Sequence, residues 1–158
     1  ILLTYRDFEN PTANENTRNT INRLWEVDYI PIVNENDTVS IEEIVLGDND
    51  KLSALTAVIT EADLLVLVSD IDGIFTANPH LNSDAKLIPL VSDLNSVKLF
   101  VEEKETTLGT GGMTSKINAA EICMNKGIEM WIVNGQHPNY IIRALNAEIP
   151  FTKFSAEK

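Results

Sequence analysis

Four short runs, at residues 1–5, 29–33, 64–69 and 128–133, are almost continuously apolar and rich in Ile, Val and Leu. A strand with one wet face alternates apolar and polar residues, whereas a strand covered on both faces does not. Runs of this kind therefore fit a parallel sheet sandwiched between helices. Pro31 removes a backbone donor from the second run and weakens it as a strand. The intervening stretches carry the helical period. Residues 14–27 place Ile21, Leu24 and Trp25 on one face, and residues 51–60 do the same for Leu52, Leu55, Val58 and Ile59. Asn49 or Asp50 is placed to cap the second of these helices. Residues 93–102 and 113–126 read as two more, the first capped by Ser92 and the second closed by Gly127 at C′. A last helix over 138–147 would have Pro138 near its first position. Strand and helix alternate, so right-handed crossovers between parallel strands are the economical topology and the fold class is α/β. Residues 38–46 interrupt the alternation with a β-branched segment that reads as a small hairpin beside the sheet.

The length of 158 residues suits one domain, and 44% hydrophobic residues are enough for a core. Twelve Lys and Arg stand against 24 Asp and Glu, a net charge of −12. That balance argues against a nucleic-acid or anionic-membrane surface, which needs clustered cations. It leaves room for one phosphorylated small molecule bringing its own metal ion. The single cysteine, Cys123, rules out an internal disulfide and fits a reducing compartment. With no signal peptide and no apolar run near the ~20 residues that span a bilayer, a cytoplasmic location is expected. The chain opens Ile1-Leu2-Leu3-Thr4-Tyr5, without an initiator methionine or a cap before the apolar run. That reads as a strand entered midway, with part of the unit expected upstream.

Ligands of open parallel sheets bind beyond the carboxyl ends of the strands. Three segments there are dense in short carboxylates and carboxamides: Asn34-Glu35-Asn36-Asp37, Gly47-Asp48-Asn49-Asp50 and Ser69-Asp70-Ile71-Asp72-Gly73. Such a rim suits an ammonium group or Mg²⁺; the same residue types also simply cap helices and shape turns. A fourth segment, Leu108-Gly109-Thr110-Gly111-Gly112-Met113-Thr114-Ser115-Lys116, leads into a helix. Glycines admit an anion to backbone N–H groups, the helix N-terminus adds its dipole, and Lys116 adds a mobile charge. The segment has neither the P-loop spacing nor a G-x-G-x-x-G fingerprint, so as a pattern it also fits a flexible loop. Other residues take plainer roles. Cys123 reads as a small buried side chain, Trp25 and Trp131 as packing residues, and His80 and His137 as isolated loop histidines. There is no Ser-His-Asp set for a hydrolase of that kind.

Taken in order, V-N-E-N-D at 33–37, G-D-N-D-x-L-S-A-L at 47–55, S-D-I-D-G-I-F-T-A-N-P at 69–79 and L-G-T-G-G-M-x-x-K at 108–116 resemble the glutamate 5-kinases of the amino acid kinase family. The resemblance implies a three-layer sandwich with a mainly parallel central sheet flanked by helices. It implies phosphoryl transfer from ATP, with Mg²⁺, to the γ-carboxylate of L-glutamate, the first step of proline synthesis. By the same resemblance Asn34, Asp37 and Asn49 bind glutamate, and Ser69, Asp70, Thr110, Gly111, Gly112, Met113, Thr114, Ser115 and Lys116 bind the nucleotide. Lys116 also stabilises the transferring phosphoryl group, and Asp50 organises the catalytic lysines. The usual Thr-Asp pair is Ser69-Asp70 here, which keeps the hydroxyl. Family members are commonly homo-oligomeric and subject to feedback by proline.

The family's opening strand, first glycine loop, that loop's lysine and a substrate-contacting serine would all fall upstream of Ile1. The chain is thus expected to be the later, larger part of one kinase domain, inactive as an isolated polypeptide. A C-terminal domain of the RNA-modification (PUA) type would follow Phe154 and is not expected within these residues. Within the same fold the alternatives are an acetylglutamate or uridylate kinase. Outside it they are a ligand-sensing module that has lost its chemistry, or an acidic metal-binding protein.

Overall fold

A computed structural model describes residues 1–39, 49–79, 81–102 and 112–155, with the backbone alone over 99–102. Most of the expected hairpin at 38–46, together with Gly47, Asp48, His80 and the stretch 108–111 that includes Thr110 and Gly111, lies outside the described residues.

The first apolar run is a strand only at β1 (Leu2–Leu3). Asp7 Oδ2 accepts from both Thr4 N, at 2.6 Å, and Thr4 Oγ1, at 2.9 Å, which turns the chain into α1 (Arg6–Glu9). The next helix, α2 (Pro11–Glu26), starts earlier than the apolar pattern predicts. Asn10 accepts from Ala13 N at 3.0 Å and Pro11 takes the first position, a cap-plus-proline start that apolar spacing does not register. Its buried stripe is Thr17 and Ile21, while Trp25 is 47% exposed.

The second run does not form a strand over 29–33. Ladder bonds from Ile1 N to Ile32 O and from Asn34 N to Ile1 O lead into β2 (Asn34–Glu35), parallel to β1. Pairing is thus displaced toward the polar residues beyond the run, with Pro31 behind it. Then come α3 (Asn49–Ile59), which buries Leu52, Ala54, Ala57 and Ile59, and β3 (Leu64–Ser69), where sequence pattern and structure coincide.

β4 (Leu90–Val91) is too short to show any pattern in sequence. Between β4 and the next helix, Asp93 rather than Ser92 provides the cap, its Oδ1 accepting from Asn95 N at 3.0 Å as α4 (Asn95–Glu102) begins. α5 (Gly112–Met124) ends in a Schellman motif. Gly127 has φ +72°, its N–H reaches Met124 O, and Ile128 N reaches Cys123 O. The chain then enters β5 (Glu129–Asn134). Pro138 stands ahead of α6 (Tyr140–Leu145) rather than inside it, and a second short strand, β6 (Thr152–Phe154), closes the described chain.

Among the described residues there are two sheets, β1-β2 and β3-β5-β6-β4. β3 runs parallel to β5, with Ser69 opposite Asn134, and β4 runs parallel to β6. β5 and β6 are antiparallel, so the larger sheet is mixed rather than uniformly parallel. β5 is its covered centre. Met130 and Ile132 pack into a cluster with Ala54 and Ala57 of α3 and Ile117, Ala120 and Cys123 of α5. Val133, on the opposite face, packs with Ala144 of α6 and with Ile149. Helices on both faces of a sheet give the three layers that the continuous apolar runs predict.

Candidate active site

Parallel crossovers decide where the polar segments meet. Each crossover helix runs back against its strands, so the N-termini of α3 and α5 lie at the end where β2, β3 and β5 finish. α3 and α5 pack against each other, which brings their first turns together. The result is a direct contact: Lys116 Nζ donates to Asp50 Oδ2 at 2.9 Å. The pair is largely shielded, with side-chain exposures of 14% and 21%, so water weakens it less than a surface ion pair.

Gly112, Met113, Thr114 and Ser115 form the first turn of α5, where backbone N–H groups have no intrahelical acceptor. Ser115 is 8% exposed, and among the described residues its Oγ has no hydrogen-bond partner. A buried hydroxyl in that state is anomalous in a finished structure and ordinary at a place where a ligand supplies the acceptor.

Asn49 and Asp50 occupy the first described turn of α3 rather than a cap. Asn49 lines a cleft of about 440 Å³ together with Pro31, Val33, Leu52, Leu64 and Leu65. Asn34 opens β2, which α3 packs against, and Asp37 follows in an exposed turn. Among the described residues, no hydrogen bond or ion pair joins Asn34 or Asp37 to Asn49 or Asp50. Beside them Lys51 Nζ sits 5.0 Å from the centre of the Tyr5 ring, a cation–π arrangement. The Glu9 carboxylate, chiefly by hydrogen bonding, holds the Tyr5 phenol above its ordinary pKa.

Ser69 ends β3 and donates to Asp70 Oδ1 at 3.3 Å, with Asp70 exposed to solvent. The loop they open is pinned from below. Gly73 is buried against Thr152, whose Oγ1 accepts from Ile74 N at 2.8 Å and donates to Ile88 O at 2.7 Å.

The amino acid kinase family profile matches residues 1–134. The chain belongs to that family. Among curated relatives, it is 42% identical over 155 residues to "Glutamate 5-kinase 2" of Pseudoalteromonas translucida, covering 98% of this chain and 42% of that relative. It is 46% identical over 155 residues to "Glutamate 5-kinase" of Clostridium acetobutylicum, covering 98% of this chain and 58% of that one. The chain thus spans roughly two fifths to three fifths of the length of the curated relatives it matches. Among solved structures, UMP kinase from Ureaplasma parvum superposes with a TM-score of 0.64 at 19% identity, over 87% of this chain and 52% of that one. That likeness supports the fold alone.

The loop after β5 is not singled out by the sequence. His137 reads in sequence as isolated, yet its Nε2 lies 3.1 Å from Asp72 Oδ1, which also accepts from Asn134 Nδ2 at 2.9 Å. The available signal was the position of Asn134-Gly135-Gln136-His137 at the carboxyl end of a strand, the same place that singled out Ser69–Gly73. Thr152 gave no signal, because its partners lie 78 and 64 residues away.

Proposed function

We propose that the protein carrying this sequence transfers the γ-phosphoryl group of ATP to the γ-carboxylate of L-glutamate, giving glutamyl 5-phosphate in proline synthesis. The observation that carries this reading is the Lys116–Asp50 contact, which joins the two helix starts that hold the anion-binding and the substrate-binding motifs. The names and identities of the relatives favour glutamate over other acceptors.

Phosphoryl transfer asks a protein mainly for alignment and for positive charge around the moving group. Lys116 and the N–H groups opening α5 supply that charge, and the Ser115 hydroxyl gains a phosphate oxygen as acceptor. Asp50 fixes the ammonium of Lys116 in direction. Asp37, with Asn34 and Asn49, receives the ammonium and polar groups of glutamate. Ser69 and Asp70 contact the nucleotide on the opposite side, with Thr110 and Gly111 completing the glycine segment. Mg²⁺ would accompany the phosphates, since it commonly takes one or two carboxylates plus phosphate oxygens. When bound it neutralises phosphate charge.

On this reading residues 1–158 contribute the later part of one kinase domain. The same reading extends to a homo-oligomeric, cytoplasmic enzyme that proline inhibits. The direct test compares ADP release by the full-length protein with L-glutamate, N-acetylglutamate or UMP as acceptor. Glutamate alone should support turnover; preference for either other acceptor would overturn the assignment.

A further inference from the structure

Two loops leave the carboxyl ends of the parallel neighbours β3 and β5 side by side, and one carboxylate ties them together. Asp72 lies in the loop after β3, three residues beyond Ser69. Its Oδ1 accepts from Asn134 Nδ2 at 2.9 Å and faces His137 Nε2 at 3.1 Å. Asn134 is the last residue of β5, and its Oδ1 accepts from Gln136 N at 2.9 Å, which sets the course of the second loop toward His137. Gly135 N donates to Ser69 O at 2.8 Å, and a Cβ on Gly135 would come within 2.5 Å of Val68 Cγ1. The two strand ends therefore approach as closely as glycine allows.

A carboxylate only accepts, so the proton of the His137–Asp72 contact resides on Nε2. Both side chains are about one third exposed, so the clasp sits at the surface rather than in the core. Buried packing explains Gly73 and Thr152 below the loop. It does not explain an Asp–Asn–His set above it, spanning the same two loops.

We propose that His137 is a positioning residue for the nucleotide. Through Asp72 it holds the Ser69–Asp70 corner in its binding conformation by clasping the loop after β3 to the loop after β5. This rests on the reading that Ser69 and Asp70 contact ATP. The clasp acts on nucleotide binding and leaves the acceptor side, at Asn34, Asp37 and Asn49, untouched.

The test uses the full-length protein in three forms: wild type, H137A and H137Q. Glutamine keeps an N–H donor at similar reach to Asp72, whereas alanine removes it. H137A should raise KM for ATP about tenfold or more, with kcat and KM for glutamate changed less than about twofold; a charged hydrogen bond is worth that much or more. Amide hydrogen exchange at residues 70–73 should quicken in H137A. H137Q should recover most of both effects. An unchanged KM for ATP in H137A, an equal rise in both KM values, or a glutamine variant no better than alanine would overturn the clasp. Wild-type protein that turns over without any dependence on ATP would instead sink the nucleotide reading beneath it.

Discussion

Lys116 Nζ and Asp50 Oδ2 stand 2.9 Å apart although 66 residues separate them in the chain. Each belongs to a different motif of the sequence. Together they place a positive charge, held by a shielded carboxylate, where the first turns of α3 and α5 meet. Removing that charge should remove transition-state stabilisation. K116A in the full-length protein is expected to lower kcat by roughly 10²–10³-fold, the usual effect of deleting one electrostatic stabiliser. K116R should not restore it, because a planar guanidinium does not replace a point ammonium at one acceptor. D50N keeps the shape but not the charge, and should lower kcat by about tenfold or more. Steady-state kinetics on the three variants checks all of this.

The floor of the loop after β3 predicts a stability effect. A Cβ on Gly73 would come within 2.9 Å of both Thr152 Cβ and Thr152 N, at a φ of +148° that other residues rarely adopt. G73A is therefore expected to destabilise by several kcal/mol, on the order of the combined costs of overpacking and backbone strain. T152V removes the hydroxyl that satisfies Ile74 N and Ile88 O, and should cost about 1–3 kcal/mol. T152S keeps that hydroxyl and should cost less than T152V. Denaturant midpoints order the three.

Ala147 points the other way. It holds φ +55° at the end of α6, with Ala147 N bonded to Ala144 O and Glu148 N to Arg143 O. This is the Schellman geometry that Gly127 adopts after α5, here filled by a residue with a Cβ. A147G relieves left-handed strain and gives back part of the gain through a more flexible unfolded chain. A net stabilisation of about 1 kcal/mol is expected, read as a higher midpoint with an unchanged slope.

Burial pushes the Cys123 thiol up to about 11, from an ordinary 9.0. The folded state thus keeps the proton longer than the unfolded state does. Its contribution to stability is complete below about pH 9 and is lost as pH rises through about 11. The wild type should lose stability across that window more steeply than C123A, whatever the cost of the cavity in C123A at neutral pH. Equal slopes would contradict this.

The sheet was legible in the sequence only in part. β3 and β5 were legible because β5 is covered on both faces and its apolar residues need not alternate. β4 and β6 were not, because two or three residues carry no period. The first two strands were displaced: Thr4 and Asp7 form a local turn that ends β1, and Pro31 delays pairing until Asn34. Asp50 and Lys116 were legible as members of motifs, yet their contact follows only from helices that run back along parallel strands. His137 was missed for the same reason: its partner, Asp72, is 65 residues away and meets it only because β3 and β5 are neighbours.

A site that phosphorylates a carboxylate of glutamate makes an acyl phosphate, and acyl phosphates acylate hydroxylamine. The decisive assay therefore counts γ-glutamyl hydroxamate against ADP in one reaction of the full-length protein with ATP and L-glutamate. One hydroxamate per ADP is expected, with both lost together in K116A. ADP formed without hydroxamate, or hydroxamate formation undiminished in K116A, would refute the assignment.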